Sequence, residues 1–260
     1  MTPERFREID GLRVHYRIGG TGPPLLLLHG WGGSSASFAA IARDLQEGFT
    51  VVAPDLPGFG LSQLPSAAWG SYDYADLVAR LSKQIHPPPY YVLGHSFGGR
   101  VALAMACAHR DLVTKLILVN AAGIKIAPPP RIRLKAAVYG SLRRAASCLP
   151  SGMADRAIEA LRRLFGSADY RDAGARRATL VRLLEDDFRP RLPAIQASTL
   201  VIWGARDRDV PLAAARILAQ EIPLAELAII PGAGHFPFVE APDRFCQLVR
   251  GFLAPERPAP

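Results

Sequence analysis

Cysteine is scarce in this 260-residue chain: only Cys107, Cys148 and Cys246. An odd number without paired spacing excludes a disulfide framework and a thiolate metal site. Cys107 and Cys246 fall on apolar helical patterns, so the expectation is a pair of reduced, buried and inert thiols. Long apolar runs are missing as well. Residues 23–28 make a strand-sized stretch, and nothing approaches the length of a membrane helix. The opening MTPERFREIDG places charges where a signal peptide needs an apolar core. A cytoplasmic address without a transmembrane segment is therefore expected. Metal-ligand spacing of His, Cys and Asp is absent, and no Gly-rich loop matches a nucleotide fingerprint, so neither metal nor cofactor is implied. Internal repeats and low-complexity tracts are also lacking.

What is present suits one sizeable folded unit. Hydrophobic residues make up 49% of the chain and charged residues 21%, enough apolar material for a sheet covered on both faces. Only the closing APERPAP is too rich in proline and too poor in apolar residues to pack. The net charge of +8 raises nucleic acid as a partner, but its distribution argues otherwise. Residues 124–191 hold 15 of the 31 Lys and Arg and 7 of the 23 Asp and Glu, and the remainder balances. One interval carries the whole excess, without an RNA-binding signature or zinc pattern, so no nucleic-acid partner is expected.

Strand-like and helical patterns alternate, which predicts α/β architecture with a mostly parallel, eight-stranded sheet flanked by helices. Residues 6–10 and 13–18 read as strands joined at Asp10-Gly11. Residues 25–28, all leucine, form an apolar run of the kind buried on both faces. Residues 50–53, 90–93, 116–119, 200–203 and 227–230 repeat that signature. Helical periodicity occupies 74–85, 97–109, 212–221 and 243–253, and Pro87-Pro88-Pro89 stops the first of these. From residue 123 to 191 the alternation breaks, bounded by Pro128-Pro129-Pro130 and Pro190. Helical patterns at 132–146, 153–165 and 173–187 predict an inserted helical cap, with the core formed by 1–122 and 192–260.

The sharpest chemical feature is Gly94-His95-Ser96-Phe97-Gly98, between an apolar strand and a helical pattern. A serine there occupies a tight strand-to-helix turn that lifts its hydroxyl clear of the sheet, with glycines allowing close backbone approach. Helix N–H groups beneath it favour a developing oxyanion. A serine hydroxyl needs a base, itself held by a third group. After Ser96 only His109 and His235 remain. His109 lies along the helix that follows Ser96 and points elsewhere. His235 ends the glycine-rich Pro231-Gly232-Ala233-Gly234 that follows a strand. Asp207 follows another, in Trp203-Gly204-Ala205-Arg206-Asp207. All three fall at C-terminal strand ends, where open α/β sheets place their sites.

Together these segments resemble the α/β-hydrolase family. His29-Gly30-Trp31-Gly32-Gly33 is similar to the family's oxyanion loop, and Asp55-Leu56-Pro57-Gly58-Phe59-Gly60-Leu61-Ser62 to its D-x-P-G-x-G-x-S segment. The resemblance implies a serine hydrolase with Ser96 as nucleophile, Asp207 as acid and His235 as base, and oxyanion donors at the backbone N–H groups of Trp31 and Phe97. The expected substrate is a small-molecule carboxylic ester, cleaved through an acyl-enzyme.

Each assignment has a plainer competitor. Ser96 as an ordinary helix N-cap is the alternative to a nucleophile. Asp209 rivals Asp207, although its position suits capping the next helix. His29 and His95 are expected to hold loops through backbone hydrogen bonds, Asp55 to brace its own turn, and the cap arginines to form a solvated face. Carbon–carbon hydrolysis of a ring-cleavage dienoate uses the same triad. That group's G-N-S-M-G elbow differs from the one here, and its histidine is often followed by tryptophan where this chain has Phe236. A non-catalytic binding protein or receptor of the same fold is a further alternative, though such proteins often lack a triad member. Dehalogenases and epoxide hydrolases of this fold carry aspartate where Ser96 stands.

Overall fold

The structure, a computed structural model, describes residues 4–126, 130–165 and 172–254. The APERPAP tail falls outside it from residue 255 on. Eight strands form one sheet: β1 (Glu4–Ile9), β2 (Leu12–Gly19), β3 (Pro24–Leu28), β4 (Thr50–Pro54), β5 (Tyr90–His95), β6 (Val113–Val119), β7 (Ser198–Gly204) and β8 (Ala225–Ile230). Their spatial order is β1-β2-β4-β3-β5-β6-β7-β8. β2 runs antiparallel to β1 and β4, and every other neighbouring pair is parallel.

The helices are α1 (Ala39–Leu45), α2 (Ser71–Ile85), α3 (Phe97–Ala108), α4 (Pro130–Ser147), α5 (Ser151–Phe165), α6 (Arg177–Glu185), α7 (Leu212–Glu221), α8 (Pro237–Glu240) and α9 (Pro242–Leu253). Because side chains alternate across a strand, each central strand feeds two cores. Leu26, Leu28, Leu116, Leu118, Val201 and Trp203 face one, beneath α2, α3 and α7. Leu25, Leu27, Ile117, Val119, Leu200 and Ile202 face the other, beneath α1, α8 and α9. Runs such as LLLL are continuous in sequence because both faces are covered.

One expectation needs correction, and two short helices add to the sequence reading. Residues 227–230 have the apolar composition of a doubly covered strand, yet Leu227 and Ile229 of β8 are exposed. Among the described residues β8 ends the sheet and pairs only with β7, so an apolar run alone does not distinguish an edge from an interior strand. The short α1 and α8 were not read from periodicity, being at most two turns long.

Between β6 and β7 the chain inserts α4, α5 and α6. Polar ties from α6 and the residues after it reach back to the core. Arg100 on α3 donates to the carbonyls of Leu183 and Asp186. Ser71, the first residue of α2, donates its hydroxyl to Asp186 at 2.5 Å. Among the described residues no helix is long and apolar enough to cross a membrane.

Candidate active site

The strand order creates the site. From β3 the chain moves to β4 on one side, then crosses to β5 on the other. Loops after β3 and β5 therefore diverge, leaving a crevice at the C-terminal edge, the position where open α/β sheets bind ligands. Residues 29–33 follow β3, and Ser96 follows β5.

Ser96 has φ 52° and ψ −113°, a conformation that L-residues rarely adopt. Its N–H bonds the Val119 carbonyl at 3.0 Å, and its own carbonyl accepts from Gly99, Arg100 and Ala122. The turn is over-determined by these bonds and by sterics. A Cβ on Gly94 would lie 2.3 Å from the Gly98 oxygen, and one on Gly98 would lie 2.0 Å from the Leu28 oxygen. Ser96 occupies the N-cap position of α3 but makes no side-chain cap bond, so the plain capping role does not describe it. Phe97 begins α3, where an N–H has no intrahelical acceptor.

His235 and Asp207 come together although 28 residues apart in sequence. Nδ1 of His235 lies 2.9 Å from Asp207 Oδ2. An ionised carboxylate only accepts, so Nδ1 carries the proton and the neutral ring keeps Nε2 free to accept one. The Asp207 side chain is 1% exposed and that of His235 12%. Burial opposes the Asp207 charge, but hydrogen bonds from His235, Asn120 and the Asp209 N–H outweigh it and hold its carboxyl below the ordinary value.

Asp209 is placed differently. Its carboxylate lies 4.0 Å from the same Nδ1 and is 69% exposed. The expectation that it caps α7 fails, because Pro211 occupies the N-cap position and makes no side-chain bond. Instead the N–H groups of Asp209 and Val210 both donate to Asp207 Oδ1, at 2.8 and 3.1 Å. Asp207, Asp209 and His235 together bring three metal-type ligand atoms within 4.8 Å of one another. Sequence spacing hides that trio, and within it the Asp207–His235 hydrogen bond already engages the facing oxygen and nitrogen.

Buried histidines brace the surrounding loops. His29 Nδ1 donates to the Gly30 carbonyl at 2.8 Å, and its Nε2 accepts the Leu56 N–H at 2.9 Å. His95 Nε2 donates to the His235 carbonyl at 2.8 Å. Burial pushes His29 down to about 4. Burial and the neighbouring His235 push His95 down to about 3. Asp55 accepts from the N–H groups of Ser35 and Leu61 and from His15 Nδ1, at 2.6, 2.8 and 2.8 Å. It thereby joins β2, the loop after β3 and the turn after β4.

Two features were not legible beforehand. Trp31, Phe59 and Phe97 form an aromatic cluster with ring centroids 4.9–5.7 Å apart, and the Arg176 guanidinium lies 4.9 Å from the Phe59 ring. Asn120, fully buried after β6, donates to Asp207 Oδ2 at 2.5 Å. A lone asparagine after an apolar strand carries no pattern; its turn position is the only signal.

Known proteins share this arrangement of elements. The family model described as Alpha/beta hydrolase family matches residues 25–248. A 2-hydroxymuconate semialdehyde hydrolase of Pseudomonas putida is 32% identical, covering 97% of this chain and 95% of that protein. A pimeloyl-[acyl-carrier protein] methyl ester esterase of Vibrio vulnificus is 29% identical, covering 92% and 97%. A thermophilic esterase of Thermogutta terrifontis superposes with a TM-score of 0.72 at 28% identity, over 97% of this chain and 98% of that one. With most of its length inside the family match and the sheet order complete, the chain belongs to the alpha/beta hydrolase family.

Proposed function

We propose that this protein hydrolyses small-molecule carboxylic esters through an acyl-enzyme on Ser96. One observation carries the reading: a serine held at φ 52° in a strand-to-helix turn, at the same sheet edge as a histidine whose Nδ1 is engaged by a buried carboxylate. His235 Nε2 takes the hydroxyl proton as Ser96 Oγ attacks the acyl carbon. The N–H groups of Trp31 and Phe97 receive the developing oxyanion. Collapse expels the alcohol, which leaves with the proton from His235. A water activated by Nε2 then attacks the acyl-serine, releasing the acid and restoring Ser96. Asp207 holds the ring in this tautomer and stabilises its transient cation. Relatives named as esterases support the substrate class.

Carbon–carbon hydrolysis is the second reading, favoured by the Pseudomonas putida relative. A panel of p-nitrophenyl esters of increasing acyl length, run beside one ring-cleavage dienoate, separates the two. Ser96→Ala should abolish hydrolysis and labelling by a fluorophosphonate, while circular dichroism stays unchanged. Retention of activity within about tenfold of wild type would overturn the nucleophile assignment. Asp207→Asn should lower kcat by about 10³-fold or more, and Asp209→Asn by less than about threefold. The reverse ranking would move the acid to Asp209.

A further inference from the structure

The Asp207 carboxylate receives four hydrogen bonds. Asp209 and Val210 N–H groups fill Oδ1, and His235 Nδ1 shares Oδ2 with the Asn120 amide. Three of the four donors belong to the acid's own loop or to the base. The fourth comes from a separate strand. Asn120 stands at φ 44° directly after β6, and its backbone N–H bonds the Ile202 carbonyl of β7 at 3.1 Å. Nδ2 also reaches the Gly234 carbonyl at 3.3 Å. Oδ1 accepts the Gly204 N–H at 3.3 Å. One buried side chain thus joins the loop that carries the acid to the loop that carries the base.

We propose that Asn120 is a positioning residue: its amide fixes the Asp207 carboxylate towards His235 and takes up part of the carboxylate's charge. The inference rests on the triad reading given above. Both functional ends of the amide are needed. A donor must face Asp207 and the Gly234 carbonyl, and an acceptor must face the Gly204 N–H. Aspartate has the same shape and supplies only the acceptor, unless it takes up a proton. The αL turn also suits asparagine.

The charge consequence has a definite sign. Removing a donor from Asp207 leaves more negative charge facing His235 and favours the protonated imidazole, which cannot act as base. The acid limb of kcat/KM should then move to higher pH. Other titratable groups at this spot are Asp209, 4.0 Å from His235 Nδ1, and His95, whose ring lies 4.9 Å from that of His235. Glu240 accepts from the N–H groups of Gly234 and Phe236. All three are unchanged in the variants below.

The test compares wild type, Asn120→Asp and Asn120→Gly on one neutral p-nitrophenyl ester across pH, after fluorophosphonate labelling of wild type and Ser96→Ala. Asn120→Asp keeps the shape, the turn and the acceptor, and places a second carboxylate beside Asp207. It should lower kcat by about 100-fold with KM within about threefold, and move the acid limb up by about one pH unit or more. Asn120→Gly keeps the turn, deletes both amide ends and adds no charge. It should lower kcat by about tenfold and move the limb in the same direction. A purely structural role predicts lower thermal stability in both variants with an unmoved limb, and that result overturns the proposal. Wild-type kcat and limb in a folded Asn120→Gly overturn it equally, should Asn120→Asp fail to fold. Labelling keeps the two readings apart. If wild type is not labelled at Ser96, the triad reading fails and this inference with it. If Ser96 is labelled and the limb does not move, only the role of Asn120 falls.

Discussion

Glycine does opposite work in two parts of this molecule. At the elbow, a Cβ on Gly98 would press to 2.0 Å from the Leu28 oxygen and 2.7 Å from that of His29. Both are backbone atoms, one at the end of β3 and one in the loop after it, and neither can swing aside. In the inserted helices, a Cβ on Gly140 or Gly152 would meet nothing within 4 Å among the described residues. The elbow is built by exclusion: helix α3 approaches β3 and β5 so closely that only hydrogen fits. The insertion is built by amphipathic helices in which glycine is merely tolerated. A site that must hold a strained serine sits on the first kind of structure, and the part that differs most from the sheet pattern is of the second kind.

Paired substitutions sharpen that comparison most. Gly98→Ala should destabilise the fold by upwards of about 3 kcal/mol, through forced backbone displacement in a packed interior. Gly140→Ala should stabilise the chain by about 0.5–1 kcal/mol, because alanine lowers the backbone entropy lost on forming an exposed helix. Denaturant unfolding of both variants checks this. Equal and small effects would show that the elbow relaxes far more readily than its contacts allow.

A second test uses histidine, which the insertion lacks: none of the six lies within residues 124–191. His29 and His95 are buried with values lowered from 6.5 to about 4 and about 3. A base whose folded value is depressed is neutral in the native state while the unfolded chain still binds a proton. Its stabilising contribution is complete above about pH 6.5 and is lost progressively as pH falls towards the folded value. By pH 5 each histidine should have removed about 2 kcal/mol. Asp55 and Asp207 are also depressed, but their contributions are lost only below the ordinary carboxylate value of 3.8, outside this window. Urea unfolding at pH 7 and pH 5 should show the loss in wild type. His29→Asn and His95→Asn should each shrink the difference by about half. A wild type equally stable at both values would contradict the neutral, buried assignment.

The same contrast explains what could be read from the sequence. β3, β5, β6 and β7 were legible because each is covered on both faces, and continuous apolar runs record that burial directly. Ser96, Asp207 and His235 stood out because each follows a strand inside a short motif with glycines, and the structure brings Asp207 and His235 within hydrogen-bond distance. Asn120 was invisible because its meaning lies in where β6, β7 and β8 end relative to one another. Asp209 misled for a related reason: a proline two residues on resembles a helix start, yet the turn spends its N–H groups on Asp207 rather than on a cap. Phe59 and Arg176 stand 117 positions apart and meet only because the insertion folds back onto the turn after β4. The helices of the insertion were legible as helices, from period alone. Their contacts were not, because surface arginines fit many arrangements.

The smallest expected effect concerns those arginines. Residues 124–191 carry the whole excess charge, so an acidic substrate attracted to them would show strong salt dependence. Several are already engaged. Arg176 donates to the Gly58 carbonyl at 3.0 Å, Arg182 to that of Ala68 at 3.0 Å, and Arg189 pairs with Glu221 at 2.7 Å. Such partnered groups, Arg182 and Arg189 exposed and Arg176 half-buried, form a solvated face more readily than a binding site, and screening at ~0.15 M salt limits their reach to about 8 Å. For a neutral short-chain ester, kcat/KM should change by less than about twofold between low and ~0.15 M salt. No single Arg→Ala should exceed about 1 kcal/mol. Arg176→Ala should be the largest of the set, because its guanidinium lies against Phe59 and Phe59 packs on Trp31. Its effect should be independent of salt, since the lost contact is packing over a ring rather than charge attraction. A carboxylate-bearing substrate turned over far faster than any neutral ester would reverse this ranking. If one arginine abolished that gain, the insertion would become an electrostatic specificity element and the carbon–carbon hydrolase reading would take precedence.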